Sequence, residues 1–89
     1  MKSLSRWTVD VFVGEDDGRT YAEAALHDTI GNDVLGTGRA RLNPDDADIP
    51  EIGDEIAVAR ALMDLGRRLL GIAAADIEAV THEPAQLTR

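Results

Sequence analysis

Eighty-nine residues leave room for one domain, residues 1–89, with a small core. The chain has no cysteine, which excludes disulfides, iron–sulfur clusters and thiolate zinc sites, and two histidines are too few for an imidazole-rich metal centre. Seventeen acidic against nine basic residues give a formal net charge of −8, which opposes binding to free nucleic-acid duplexes and to anionic membranes.

The first periodic segment runs from about Arg6 to Val13. Trp7, Val9, Val11 and Val13 alternate with Thr8, Asp10 and Phe12, the period of a half-buried strand. Gly14-Glu15-Asp16-Asp17-Gly18 reads as an acidic turn bounded by glycines. A second strand is expected from about Arg19 to Asp28, with Ala22, Ala24 and Leu26 on one face and Tyr21, Glu23, Ala25 and His27 on the other. Gly31-Asn32-Asp33 then forms a hairpin loop. The third strand, about Val34 to Leu42, carries Val34, Gly36, Gly38, Ala40 and Leu42 on one face and Leu35, Thr37, Arg39 and Arg41 on the other. Gly36 and Gly38 leave space for a helix to lie close against their face.

Asn43-Pro44-Asp45-Asp46 has the composition of a type I turn. A long helix is expected to begin near Ile52 to Asp54, with the acids of the preceding stretch suiting its positive end. Ile52, Ile56, Ala59, Met63, Gly66 and Leu70 mark its apolar stripe, widened by Val58, Leu62, Leu65 and Leu69. Arg67 and Arg68 fall in the expected last turn, Gly71 serves as C-cap, and a shorter helix follows from about Ala74 to Val80. The expected fold class is therefore α+β: a three-stranded antiparallel meander, a long helix and a short C-terminal helix, β-β-β-α-α.

Candidate constellations are few. Asp46 and Asp48 alternate as calcium ligands would, but Ile49-Pro50 follows where ligands should continue, so a solvated acidic loop is the better reading. His27 beside Asp28 and His82 beside Glu83 have no nucleophile with them and read as surface histidines. Gly36-Thr37-Gly38 is not a phosphate loop. Arg60, Arg67 and Arg68 read as a solvated helix face with an Arg60–Asp64 pair. No catalytic residue, metal or cofactor is expected, so the chain reads as a non-enzyme. The outer sheet face is the most informative surface. Phe12, Tyr21, Leu35, Arg39 and Arg41 on it could form a dimer face, a plain solvated face, or a stacking surface for RNA. With no disulfide or metal to support a small core, a homo-oligomer, dimer or higher, is expected. No run approaches a membrane span and no apolar run follows Met1–Arg6, so the expected location is cytoplasmic.

Trp7-Thr8-Val9-Asp10-Val11, Gly38-Arg39-Ala40-Arg41-Leu42-Asn43-Pro44, Pro50-Glu51-Ile52-Gly53-Asp54-Glu55, Ala57-Val58-Ala59-Arg60-Ala61-Leu62 and Asp76-Ile77-Glu78-Ala79-Val80-Thr81-His82-Glu83-Pro84 together resemble an actinobacterial family of small domains of unknown function. The resemblance covers nearly the whole chain. It implies a dsRBD-like fold and a stress or dormancy setting, since mycobacterial members are associated with hypoxia and dormancy. It carries over no site residues. The β-β-β-α order also resembles ribosome hibernation factors, which implies the ribosome or RNA as an alternative partner through the outer face. Glu51, Asp54 and Glu55 stand where a double-stranded RNA-binding domain places lysines, so free duplex RNA is not an expected ligand.

Overall fold

The computed structural model describes residues 3–28, 31, 33–41 and 49–87. Three strands, β1 (Thr8–Asp16), β2 (Arg19–His27) and β3 (Asp33–Arg41), form an antiparallel sheet in the order β1-β2-β3, followed by one helix, α1 (Pro50–Thr81). The expected turn at Asn43–Asp46 and the end of the third strand at Leu42 lie outside the described residues.

β1 runs three residues beyond the expected strand, through Gly14, Glu15 and Asp16. The turn is made by Asp17 and Gly18 alone, with φ of 51° and 72°. Positive φ at both central residues is the hairpin geometry that matches strand twist, and Asp-Gly is among its preferred pairs. Gly14 is thus a strand residue, paired with Tyr21.

α1 is a single helix of 32 residues, so the expected break at Gly71 and the separate short helix from Ala74 are corrected. A glycine inside a helix costs about 1 kcal/mol, too little to interrupt a run flanked by Leu69, Leu70, Ala73, Ala74 and Ala75. The helix ends instead at His82, in the left-handed region at φ 61°, whose N–H donates to the Glu78 carbonyl at 2.8 Å. Pro50 opens the helix in its first turn, where its missing N–H costs nothing. Arg67 and Arg68 are consequently mid-helix residues. A Cβ at Gly71 would meet nothing within 4 Å. Gly71→Ala is therefore expected to stabilise the protein by about 1 kcal/mol in denaturant unfolding. A left-handed C-cap at that position would give a loss.

The helix lies directly on the strand backbone. A Cβ at Gly36 would stand 2.5 Å from the Ala61 carbonyl oxygen, and one at Gly38 would collide with the backbone of Ala57, Arg60 and Ala61. Above glycine only small side chains fit, so the seam is alanine: Ala57 and Ala61 on the helix against Ala22, Ala24 and Ala40 on the sheet, closed at one end by Leu26 and Leu65. The expected stripe of Ile52, Ile56, Ala59, Met63, Gly66 and Leu70 is not the face that meets the sheet. At about 100° per residue it lies on the opposite side of the helix from Ala61. The helix covers β3 and β2 and barely touches β1. A helix about 10 Å wide cannot span three strands spaced about 4.8 Å apart.

The outer edge of β3 is closed by helix side chains. The Thr37 N–H donates to Asp64 Oδ2 at 2.9 Å, and Arg60 Nη1 donates to the Arg39 carbonyl at 2.7 Å. Arg60 therefore does not make the expected pair with Asp64, which binds Arg68 at 3.0 Å and Arg67 at 3.3 Å. The Thr37 N–H, then Arg68 and Arg67, hold the Asp64 carboxyl at about 2, below its ordinary 3.8. A depressed carboxylate contributes stability that is present above pH 3.8 and lost as pH falls through 2. Asp64→Asn is expected to flatten the acid limb of the stability profile in that window, measured by thermal unfolding against pH.

Candidate functional site

The strand register places Phe12, Tyr21, Leu35, Arg39 and Arg41 on one face, the side away from α1. Tyr21 is directly opposite Arg39, whose guanidinium sits 5.5 Å from the ring centroid, and the Tyr21 hydroxyl donates to Glu23 Oε2 at 2.8 Å. That hydrogen bond, with burial and the Glu23 charge, raises the Tyr21 pKa against the lowering effect of Arg39. Phe12 and Leu35 are not brought together. Phe12 aligns with Glu23 and Thr37, whereas Leu35 aligns with Ala25 one step along. Strand spacings put them about 12 Å apart, with the glutamate between. Among the described residues the outer face therefore carries no continuous apolar patch.

At the far end of the same face His27 bridges two carboxylates. Its Nδ1–H donates to Asp33 Oδ1 at 2.7 Å, and Nε2 lies 3.5 Å from Asp10 Oδ2. The Asp33 hydrogen bond comes first in raising the His27 pKa above 6.5, with the Asp33 and Asp10 charges adding to it against a smaller desolvation effect. A raised histidine contributes stability that is complete below pH 6.5 and lost as pH rises through its folded value. Asp33→Asn should bring the His27 titration midpoint back down, read from ring proton shifts.

The larger apolar surface lies on the other side. Val9, Val11 and Val13 face inward from β1, yet α1 leaves them 39–43% exposed, and Trp7 just before them is 54% exposed. The back of α1 is equally bare: Ile52, Ile56 and Met63 are exposed, Met63 to 60%. Between Ile52 and Leu70, α1 is apolar toward the sheet, on its back, and on the flank that carries Val58, Leu62 and Leu69. The flank of Arg60, Asp64 and Arg67 is the charged one, while Glu55 breaks the apolar surface between Leu62 and the back, and Asp54 and Arg68 stand at the two ends of the sheet-facing side. A helix apolar on most of its circumference is normally enclosed. These residues were visible in the sequence as core candidates. The contrast that marks β1 as uncovered was visible too: valines on its inner face, alanine and glycine on those of β2 and β3.

Comparison with known proteins adds identity. The model of the Rv2632c-like family matches residues 5–86. The chain belongs to the Rv2632c-like family. Among its relatives are the uncharacterized protein Mb1767 of Mycobacterium bovis, 54% identical over 94% of this chain and 88% of that protein, and Rv2632c of Mycobacterium tuberculosis, 47% identical over 85% of this chain and 81% of that protein. The crystal structure of Rv2632c is similar with a TM-score of 0.81 at 42% identity, covering 94% of this chain and 100% of that one. The Rv2632c-like family is thus mycobacterial in these members, as the resemblance implied, and the relatives bring no assigned activity.

Proposed function

We propose that this chain is a non-enzymatic protein-contact module that works as a homodimer, in the stress or dormancy setting its resemblance implies. One observation carries the reading: α1 has a largely apolar back, and α1 leaves the inner face of β1 mostly uncovered. The two surfaces fit each other. From Ile52 to Leu70 the helix back is about 27 Å long, and the nine residues of β1 span about 30 Å. In a two-fold arrangement the back of each α1 lies on β1 of the other copy. Both helices are then sandwiched between two sheets, and each contact occurs twice. Two strips of about 30 by 10 Å per copy, with side-chain relief, approach the roughly 800 Å² per partner of a standard interface. A net charge of −8 on each copy opposes association in general, so the contact must be driven by this apolar match rather than by charge.

RNA or ribosome contact through the outer face has weaker support: a single aromatic–arginine pair, in a chain of the wrong net sign.

The chain has no native cysteine, so cross-linking is clean. Chains carrying Val11→Cys mixed with chains carrying Met63→Cys should form an intermolecular disulfide under air oxidation. Cross-linking through Phe12→Cys instead, with none between positions 11 and 63, would overturn this interface.

A further inference from the structure

A second surface lies at the hairpin end of the sheet, where the outer face of Gly14, Tyr21, Arg39 and Arg41 continues around the sheet to Thr20 and Ala40 and to Arg60 of α1. Where the β1–β2 hairpin meets the end of β3 there is a concavity of about 890 Å³, within the roughly 300–1,000 Å³ typical of small-molecule sites. Four of the chain's nine basic residues line it: Arg19, Arg39, Arg41 and Arg60. Arg19 stands directly opposite Arg41 in the register, an arrangement of like charges that weakens a sheet. Arg60 reaches across from α1 through its bond to the Arg39 carbonyl. None of Arg19, Arg39 and Arg41 has an ion-pair partner among the described residues, in a chain that carries seventeen acids.

The floor is Gly14. It is not a turn residue, its φ is not positive, and a Cβ there would meet nothing within 4 Å. Neither backbone geometry nor packing requires a glycine at this position, and glycine weakens a strand. Its effect is to leave the sheet surface beside Tyr21 bare, since Gly14 and Tyr21 are register partners. Strand glycines commonly accompany a bulge, a tight bend or a close approach to the backbone, and the register through Gly14 is unbroken by any bulge. Asp16 lines the side away from β3 on this face, while Glu15 of the same strand points to the other face.

We propose that this concavity binds a small phosphorylated ligand of the nucleotide or sugar-phosphate class. A phosphate has enough oxygens to engage several guanidiniums in charge-assisted bonds, whereas a carboxylate is satisfied by one bidentate arginine. The phosphate sits against Arg19, Arg39 and Arg41. Asp16, on the same face as Gly14 and Tyr21, repels a second anionic group on its side and accepts hydrogen bonds from sugar hydroxyls, so the ligand has one charged end and one hydroxyl-bearing end.

The test is a titration of the isotope-labelled full chain with AMP, inorganic phosphate and adenosine, followed by amide shifts. AMP is expected to move Gly14, Tyr21, Arg39 and Arg41 with millimolar or better affinity, phosphate to move the arginine side alone, and adenosine to move neither. Arg41→Gln should weaken AMP at least tenfold, and the control Arg6→Gln should not. Gly14→Leu should abolish binding while leaving thermal stability equal or higher, which separates a ligand floor from a structural glycine. Silence at these amides with about 10 mM AMP would overturn the proposal. So would equal weakening by Arg6→Gln, or binding of a single-stranded oligonucleotide with none of AMP.

Discussion

Gly38→Ala is expected to destabilise the protein by about 3 kcal/mol or more, the upper range for overpacking a tight contact. The added methyl would collide with the backbone of Ala57, Arg60 and Ala61. A flexible side chain could yield, but a helix backbone moves only as a unit. Lifting α1 off β3 would open the alanine seam along its length and strain the bonds from Asp64 to Thr37 and from Arg60 to Arg39. For a domain of this size the loss corresponds to roughly 12–24 °C in Tm, compared at one protein concentration. A melting temperature within two or three degrees of the parent would contradict the close packing of α1 on β3.

Met63→Glu is expected to raise the dimer dissociation constant at least 100-fold, about 3 kcal/mol of association. Met63 is 60% exposed in the single chain, so a carboxylate there costs the isolated fold little. In the proposed dimer it would be pressed against the valines of the partner's β1, where a charge without a counter-ion is strongly disfavoured. Val11→Glu should act in the same direction from the other half of the contact. Phe12→Glu, one residue away but on the opposite face, should leave the dimer intact. If Phe12→Glu dissociated the dimer and Met63→Glu did not, the interface would be on the outer face of the sheet.

The sheet was largely legible because alternation and register follow from a period of two. All five outer-face residues share the face that the alternation assigned to them. The first turn was placed too early because Gly14 and Gly18 bracket an acidic run, and glycine alone does not distinguish a turn from a bare strand position. Only the Asp17-Gly18 pair meets the demand for two positive φ values. The helix presented the opposite difficulty. When apolar residues occupy most of its circumference, periodicity cannot say which side faces the sheet. Size decides: glycines on β3 admit the Ala57–Ala61 side and exclude Ile56 and Met63. Gly71 looked like a terminus because arginines precede it, but those arginines serve Asp64, and the alanines beyond carry the helix on. The candidate contact surface was missed for a related reason. The apolar residues of β1 and of the helix back were assigned to a core, and the helix is too narrow to supply one for three strands.

The most direct test of the account is sedimentation equilibrium of the full chain across micromolar concentrations, alongside Met63→Glu and Phe12→Glu. The parent and Phe12→Glu should give twice the 9.6 kDa of one chain, and Met63→Glu should give the single-chain mass. A parent protein that stays at the single-chain mass over the whole range would contradict it.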